Sequence, residues 1–170
     1  LKNPEKETNF ENCVADVNIP VGEVFTSPVL KGTEGELFVK DVFLAGYSLK
    51  NLSISVKDGM IEDYTCENFD NRDDNRRLVE DSILKGHKSL PMGEFAIGTN
   101  VIAYNVAKKY NIFEKMPILI AEKMGPHFAF GDTSYSHDEE SITYNPDGKA
   151  IIARDKECSI KRKTDIKKAY

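Results

Sequence analysis

The stretch Leu52-Ser53-Ile54-Ser55-Val56-Lys57-Asp58-Gly59-Met60-Ile61 reads as a β-hairpin. Apolar residues at 52, 54 and 56 alternate with polar ones, the period-2 signature of a strand with one buried face. Asp58-Gly59 interrupts the alternation, and both residue types tolerate the positive φ that a two-residue hairpin turn demands. The chain then returns through residues 61–66. Upstream, Val24-Phe25-Thr26 and Gly35-Glu36-Leu37-Phe38-Val39 read as further strands. Downstream, Asp70 to Arg77 is dense in charges of mixed sign, and Leu78, Val79, Ile83 and Leu84 follow at helical spacing, so the stretch reads as the solvated start of an amphipathic helix closed by Gly86. Asn100 caps a second helix that carries Val101, Ala103, Tyr104, Ala107 and Lys108 and closes at Lys109-Tyr110-Asn111. Pro117-Ile118-Leu119-Ile120-Ala121 reads as a buried strand, and Asn145-Pro146-Asp147-Gly148 as the turn of a second hairpin. The sum is an α+β domain: a mixed or antiparallel sheet with hairpins and a few packed helices.

The chain has 170 residues, 23 Lys and Arg against 28 Asp and Glu, and a net charge of −5. That length allows one ordinary domain with a real core. The acidic balance argues against nucleic acid as a partner. The longest apolar run, Met116 to Ala121, is far too short to span a membrane. Residues 1–16 are polar and carry Pro4, so they read as a linker or tail, with the domain over residues 17–170. The start has neither an initiator Met nor an apolar signal core, and 170 residues are expected to be a piece of a longer protein. Cys13, Cys66 and Cys158 are odd in number and far apart, as expected of thiols in the cytoplasm. There is no repeat, no Walker A sequence and no dinucleotide-binding glycine fingerprint.

Only His87, His127 and His137 offer an imidazole. His87 sits in a polar loop after a helix. His127 lies in the Gly/Pro-punctuated segment Glu122-Lys123-Met124-Gly125-Pro126-His127-Phe128-Ala129-Phe130-Gly131-Asp132-Thr133-Ser134-Tyr135. Imidazole with carboxylate suits Zn, Co or Mn, and a pair of such ions could activate water. The alternative is a packed or hydrogen-bonded loop histidine. Glu23 stands directly before the apolar pair Val24-Phe25, and Glu94 stands among small and apolar residues in Gly93-Glu94-Phe95-Ala96-Ile97-Gly98-Thr99-Asn100. Buried carboxylates are costly unless paired or metal-bound. The plainer reading of each is a loop-end carboxylate bonded to backbone.

Three segments carry a resemblance. Asn18-Ile19-Pro20-Val21-Gly22-Glu23-Val24-Phe25-Thr26-Ser27-Pro28, Gly93 to Asn100 and Glu122 to Tyr135 are similar, in the same order, to motifs of the aminopeptidase T and aminopeptidase S metallopeptidases. The resemblance implies part of an aminopeptidase catalytic domain that uses two divalent ions (Zn, Co or Mn) to remove the N-terminal residue of peptides with a free N-terminus, and it suggests a homodimer. On it, Glu23, Glu94 and His127 match metal ligands, Tyr135 matches a tyrosine near the metals, and Glu122 matches an acid that is either a ligand or the base for a bridging water. His127 to Tyr135 is one residue longer than the family spacing. The His-x-Asp segment that supplies the family's last ligands does not occur in residues 1–170, and His137-Asp138 lacks its spacing. The expectation is therefore a partial catalytic domain whose C-terminal ligands are missing, inactive as a fragment and binding metal weakly or not at all. A non-catalytic binding or assembly domain, with structural acids, is the competing reading. A Cys or Ser hydrolase ranks below both, because no nucleophile here has a neighbouring His or an elbow motif.

Overall fold

A computed structural model describes residues 1–15, 19–44, 46–131, 142–152 and 165. The described residues form strands β1 (Glu7–Thr8), β2 (Glu11–Cys13), β3 (Glu23–Thr26), β4 (Gly35–Leu44), β5 (Tyr47–Lys57), β6 (Met60–Thr65), β7 (Met92–Gly98), β8 (Pro126–Phe130) and β9 (Ala150–Ile151). The helices are α1 (Arg72–Val79), α2 (Val101–Tyr110) and α3 (Ile118–Ala121). A four-stranded antiparallel sheet runs β2-β3-β7-β8, a three-stranded antiparallel sheet runs β4-β5-β6, and β1 pairs with β9 in parallel. The architecture is the α+β mixture that the hairpin and helix patterns imply.

The central hairpin forms as its sequence demands. Asp58 and Gly59 adopt φ of 47° and 70° between β5 and β6. Leu52, Ile54 and Val56 are buried, as are Leu49, Ile61, Val79, Leu84, Leu90 and Met92, which together form the larger core under α1. β5 extends further back than strict alternation predicts. Leu49 and Leu52 are three apart and both buried, because Asn51 takes a positive φ of 46° and switches the inward face there. On the paired strand the inward positions switch in step, from Leu37 and Val39 to Val42 and Leu44.

Asn71 caps α1 by accepting from the Asp73 amide at 2.9 Å. The helix then widens into a π-turn over Glu80–Leu84, where the Ser82 hydroxyl donates to the Leu78 carbonyl at 2.6 Å and the Lys85 amide reaches the Glu80 carbonyl at 2.7 Å. It ends with Lys85 in the left-handed conformation and Gly86 at φ 89°, so the turn takes two residues where the sequence suggested one. Asn100 caps α2 by accepting from the Ala103 amide, and Asn111 closes it at φ 51°. Among α2's residues Ala107 is buried, while Val101 and Ile102 are exposed.

Two expectations change. Pro117 to Ala121 is no buried strand: Ile118–Ala121 is a short helix with Ile118 and Leu119 exposed. Pro117 opens it, its carbonyl accepting from both the Ile120 and Ala121 amides at 2.9 Å, and a short apolar run alone does not distinguish strand from helix. The amino-terminal stretch read as a linker contributes β1 and β2, with Glu11 and Cys13 buried. It is tied to the second turn, where the Asn145 side chain accepts from the Asn12 amide and donates to the Phe10 carbonyl, both at 2.8 Å. Cys13 and Cys66 are buried thiols, each with its pKa pushed up by burial. Cys158 lies outside the described residues, and among those described no helix is long and apolar enough to cross a membrane.

The hairpin turn leaves Gly59 no room for a side chain. An added Cβ would lie 2.5 Å from the Leu30 Cα, at a φ that disfavours any L side chain. Gly59→Ala is expected to destabilise the fold by about 2 kcal/mol or more, read as a lower midpoint in urea unfolding.

Candidate metal centre

In antiparallel strands, directly paired residues share a face. The register pairs Cys13 with Glu23, Glu23 with Gly98, Ala96 with His127, and Glu94 with Ala129. Glu23, Glu94 and His127 therefore project from β3, β7 and β8 onto one face, over the small residues Ala96 and Gly98. The opposite face is aromatic: Phe95 packs on Phe128 at 5.2 Å and on Phe10 at 6.2 Å between ring centroids.

The three side chains converge. One ligand atom from each of Glu23, Glu94 and His127 lies within 4.8 Å of the others. His127 Nε2 is 3.5 Å from Glu23 Oε2 and 3.6 Å from Glu94 Oε1, beyond good hydrogen-bond distance, and it is buried with no hydrogen-bond partner. The other ring nitrogen, Nδ1, lies 3.2 Å from the Gly125 carbonyl. A carbonyl only accepts, so Nδ1 carries the hydrogen and the neutral ring turns the Nε2 lone pair toward two carboxylate oxygens. That arrangement asks for a cation, either a proton or a metal. Burial opposes a charged ring, but Glu94, the Gly125 carbonyl and Glu23 outweigh it and raise the His127 pKa. Two oxygens and one imidazole nitrogen suit Zn, Co or Mn, and the backbone carbonyl behind Nδ1 is the usual support for a ligating histidine. The donor set therefore fits a divalent ion.

Glu122 stands beside this cluster and is joined to it through a residue that sequence reasoning missed. Lys123 is fully buried, and its ammonium donates to Glu23 Oε2 and to Glu122 Oε1, both at 2.7 Å. Burial pushes its pKa down, but Glu122 and Glu23 push it up by more, so Lys123 is charged. Glu-Lys in sequence reads as solvated surface, and only the apolar residues before it hinted otherwise. Tyr135, His137 and Asp138 lie outside the described residues.

Backbone contacts hold these pieces. The Gly98 amide donates to the Gly125 carbonyl at 2.8 Å, the Thr99 amide to the Gly22 carbonyl at 2.7 Å, and the Asn100 amide to the Lys123 carbonyl at 2.9 Å. A Cβ on Gly98 would clash with the Lys123 carbonyl carbon and the Glu122 backbone carbonyl oxygen.

A family model for thermophilic metalloproteases matches residues 3–147. The chain belongs to that family, M29. Among solved structures, wild-type AmpT from Thermus thermophilus is similar with a TM-score of 0.46 at 20% identity, over 75% of this chain. The match spans 32% of AmpT's own length, so this chain covers less than half of it. Among curated proteins none matches this chain significantly.

Two outcomes follow from the geometry. Gly98→Ala forces the backbone of residues 122–123 off β7 and is expected to weaken Zn(II) binding by about tenfold or more and to cost about 1–3 kcal/mol of stability, measured by calorimetric titration and chemical unfolding. The raised His127 pKa also sets two opposite pH trends. Without metal, the charged ring stabilises the fold below the ordinary imidazole pKa, and this is lost as pH rises through the raised value. Metal uptake by this donor set would run the other way, failing as pH falls through the raised value because the proton occupies Nε2. Chelator-competition titrations against pH should show that loss in the native chain and a flatter profile in His127→Gln.

Proposed function

We propose that this domain serves a metal-dependent aminopeptidase, with Glu23, Glu94 and His127 as metal ligands. The observation that carries the reading is the buried His127 Nε2 without a hydrogen-bond partner, facing one oxygen each of Glu23 and Glu94. Of the two ions (Zn, Co or Mn) that the resemblance implies, one falls among these three residues. A divalent ion there supplies Lewis acidity toward a peptide carbonyl and acidifies water.

The chain's own residues do the rest. The strands hold the ligand side chains at fixed separations, so little reorganisation accompanies binding. Gly125, through its carbonyl, keeps the His127 lone pair on Nε2. Glu122, held by Lys123 beside the cluster, is proposed on the resemblance as either a further ligand or the base that would take a proton from water. Tyr135 is proposed as a donor to the developing oxyanion. Buried Cys13 and Cys66 thiols accord with a cytoplasmic setting.

The competing reading, a binding domain with structural acids, draws on the same Lys123 contacts, which give Glu23 and Glu122 a partner without any metal. Glu94→Gln and His127→Ala separate the two. Under the metallopeptidase reading each lowers Zn(II) affinity by about a hundredfold and, in a protein that also carries the family's remaining ligands, abolishes release of leucine from an N-terminal Leu peptide, with the N-acetylated peptide untouched throughout. Unchanged metal affinity in both variants would leave the structural reading standing.

A further inference from the structure

We propose that two copies of this chain join edge to edge through β4, antiparallel about a two-fold axis between Lys40 and Asp41, so that their β4-β5-β6 sheets become one continuous sheet. The inference rests on this strand alone and is independent of the metal reading.

β4 is the outer strand of its sheet, and among the described residues no strand pairs with its other edge. Its 10 residues therefore present a row of unpaired backbone N–H and C=O groups, a template for another strand. The sequence of β4 is symmetric about its middle. Outward from the Lys40–Asp41 bond, Val39 mirrors Val42, Phe38 mirrors Phe43, and Leu37 mirrors Leu44. Burial follows the same symmetry. Leu37, Val39, Val42 and Leu44 pack against the larger core, whereas Phe38 is 63% exposed, Phe43 is 57% exposed, and Lys40 and Asp41 are exposed between them.

The switch of inward face opposite Asn51 makes this symmetry usable. Strict alternation would set Phe38 and Phe43, five apart, on opposite faces of the strand. With the switch both rings stand on the outer face, where their neighbours across β5 are only Ser53 and Ser48. In the two-fold register Phe38 meets Phe43 of the second copy and Lys40 meets its Asp41, each contact occurring twice. Opposed aromatic rings and opposite charges are the favourable cross-strand pairs. A slip of one residue sets Lys40 against Lys40 or Asp41 against Asp41, so the charges that admit one register reject its neighbours. With about eight residues a side, the contact is smaller than a standard interface and is expected to be reversible.

The test is sedimentation velocity over about 1–100 µM protein, a range suited to a small interface. It compares the native chain with Lys40→Asp, Asp41→Lys and the swapped double variant Lys40→Asp/Asp41→Lys, each checked for folding by circular dichroism. The native chain should pass from monomer to dimer across that range. Either single substitution sets like charges opposite each other and should weaken the dimer by about tenfold or more, and the swap should return it to within about threefold of native. An equimolar mixture of the two single variants should form the dimer that neither forms alone, because the acidic pair of one strand then faces the basic pair of the other. Phe38→Ser changes no charge and should weaken the dimer by a similar factor. A native chain that stays monomeric throughout overturns the proposal. So does a dimer that the single substitutions or Phe38→Ser leave unchanged, since its contact would lie on another surface, such as the exposed apolar residues of α2 and α3. Failure of both the swap and the mixture to restore a lost dimer overturns it as well.

Discussion

The centre depends on one steric constraint, the absence of a side chain at residue 98. Gly98 ends β7, and the peptide linking Glu122 to Lys123 lies closer to it than any Cβ permits. That contact brings a helical segment down onto the sheet beside Glu23, the residue paired with Gly98 across the strands. Without it, Lys123 could not reach over β7 to Glu23, a hundred residues away in the chain. Three neighbouring backbone hydrogen bonds, from Gly98, Thr99 and Asn100, lock the contact and tie the entry of β3 to the entry of β8.

The electrostatics follow from that packing. Burying an ammonium or a carboxylate alone costs several kcal/mol, and only close, well-directed partners offset it. Lys123 and Glu23 are both nearly inaccessible to water, so their contact is far stronger than an exposed pair such as Lys57 with Glu62 at 3.7 Å. The unusual group is His127. Its Nδ1 faces the Gly125 carbonyl, its Nε2 lies 3.5 Å and 3.6 Å from oxygens of Glu23 and Glu94, and against the opposing effect of burial these neighbours raise its pKa.

Much of this was legible in the sequence because it rests on local signals. Asp58-Gly59 announced its turn, Asn100 the start of α2, and alternation at 52–56 the inward face of β5. Glu23 and Glu94 stood out as acids among apolar residues, and His127 as the histidine in a segment broken by Gly and Pro. What stayed hidden depends on contacts distant in sequence. Asn51 reverses the inward face of β5, a backbone event without a compositional mark. The apolar run at 118–121 forms an exposed helix because Pro117 opens a turn, although the same residues would suit a strand. Residues 7–13 look like a polar tether, yet they pair with β3 and β9, partners the local pattern cannot name. Lys123 was invisible for the same reason: its burial is imposed by Gly98, twenty-five residues earlier.

The dispersal of the ligands along the chain has its own consequence. Glu23, Glu94 and His127, the proposed ligands, come from three strands that neighbour one another only once the β2-β3-β7-β8 sheet has formed, with β4, β5 and β6 lying between β3 and β7 in sequence. No two of them are near enough in sequence to form a site in the unfolded chain. Metal affinity at the proposed site would therefore belong almost wholly to the folded state, and binding free energy would add to folding free energy by mass action. Lys123 moderates that linkage. By pairing Glu23 and Glu122 before any ion arrives, it lets the sheet close without metal, where a bare cluster of acids would repel itself apart. The Lys123 ammonium is thus what holds Glu23 and Glu122 in place in the apo-protein.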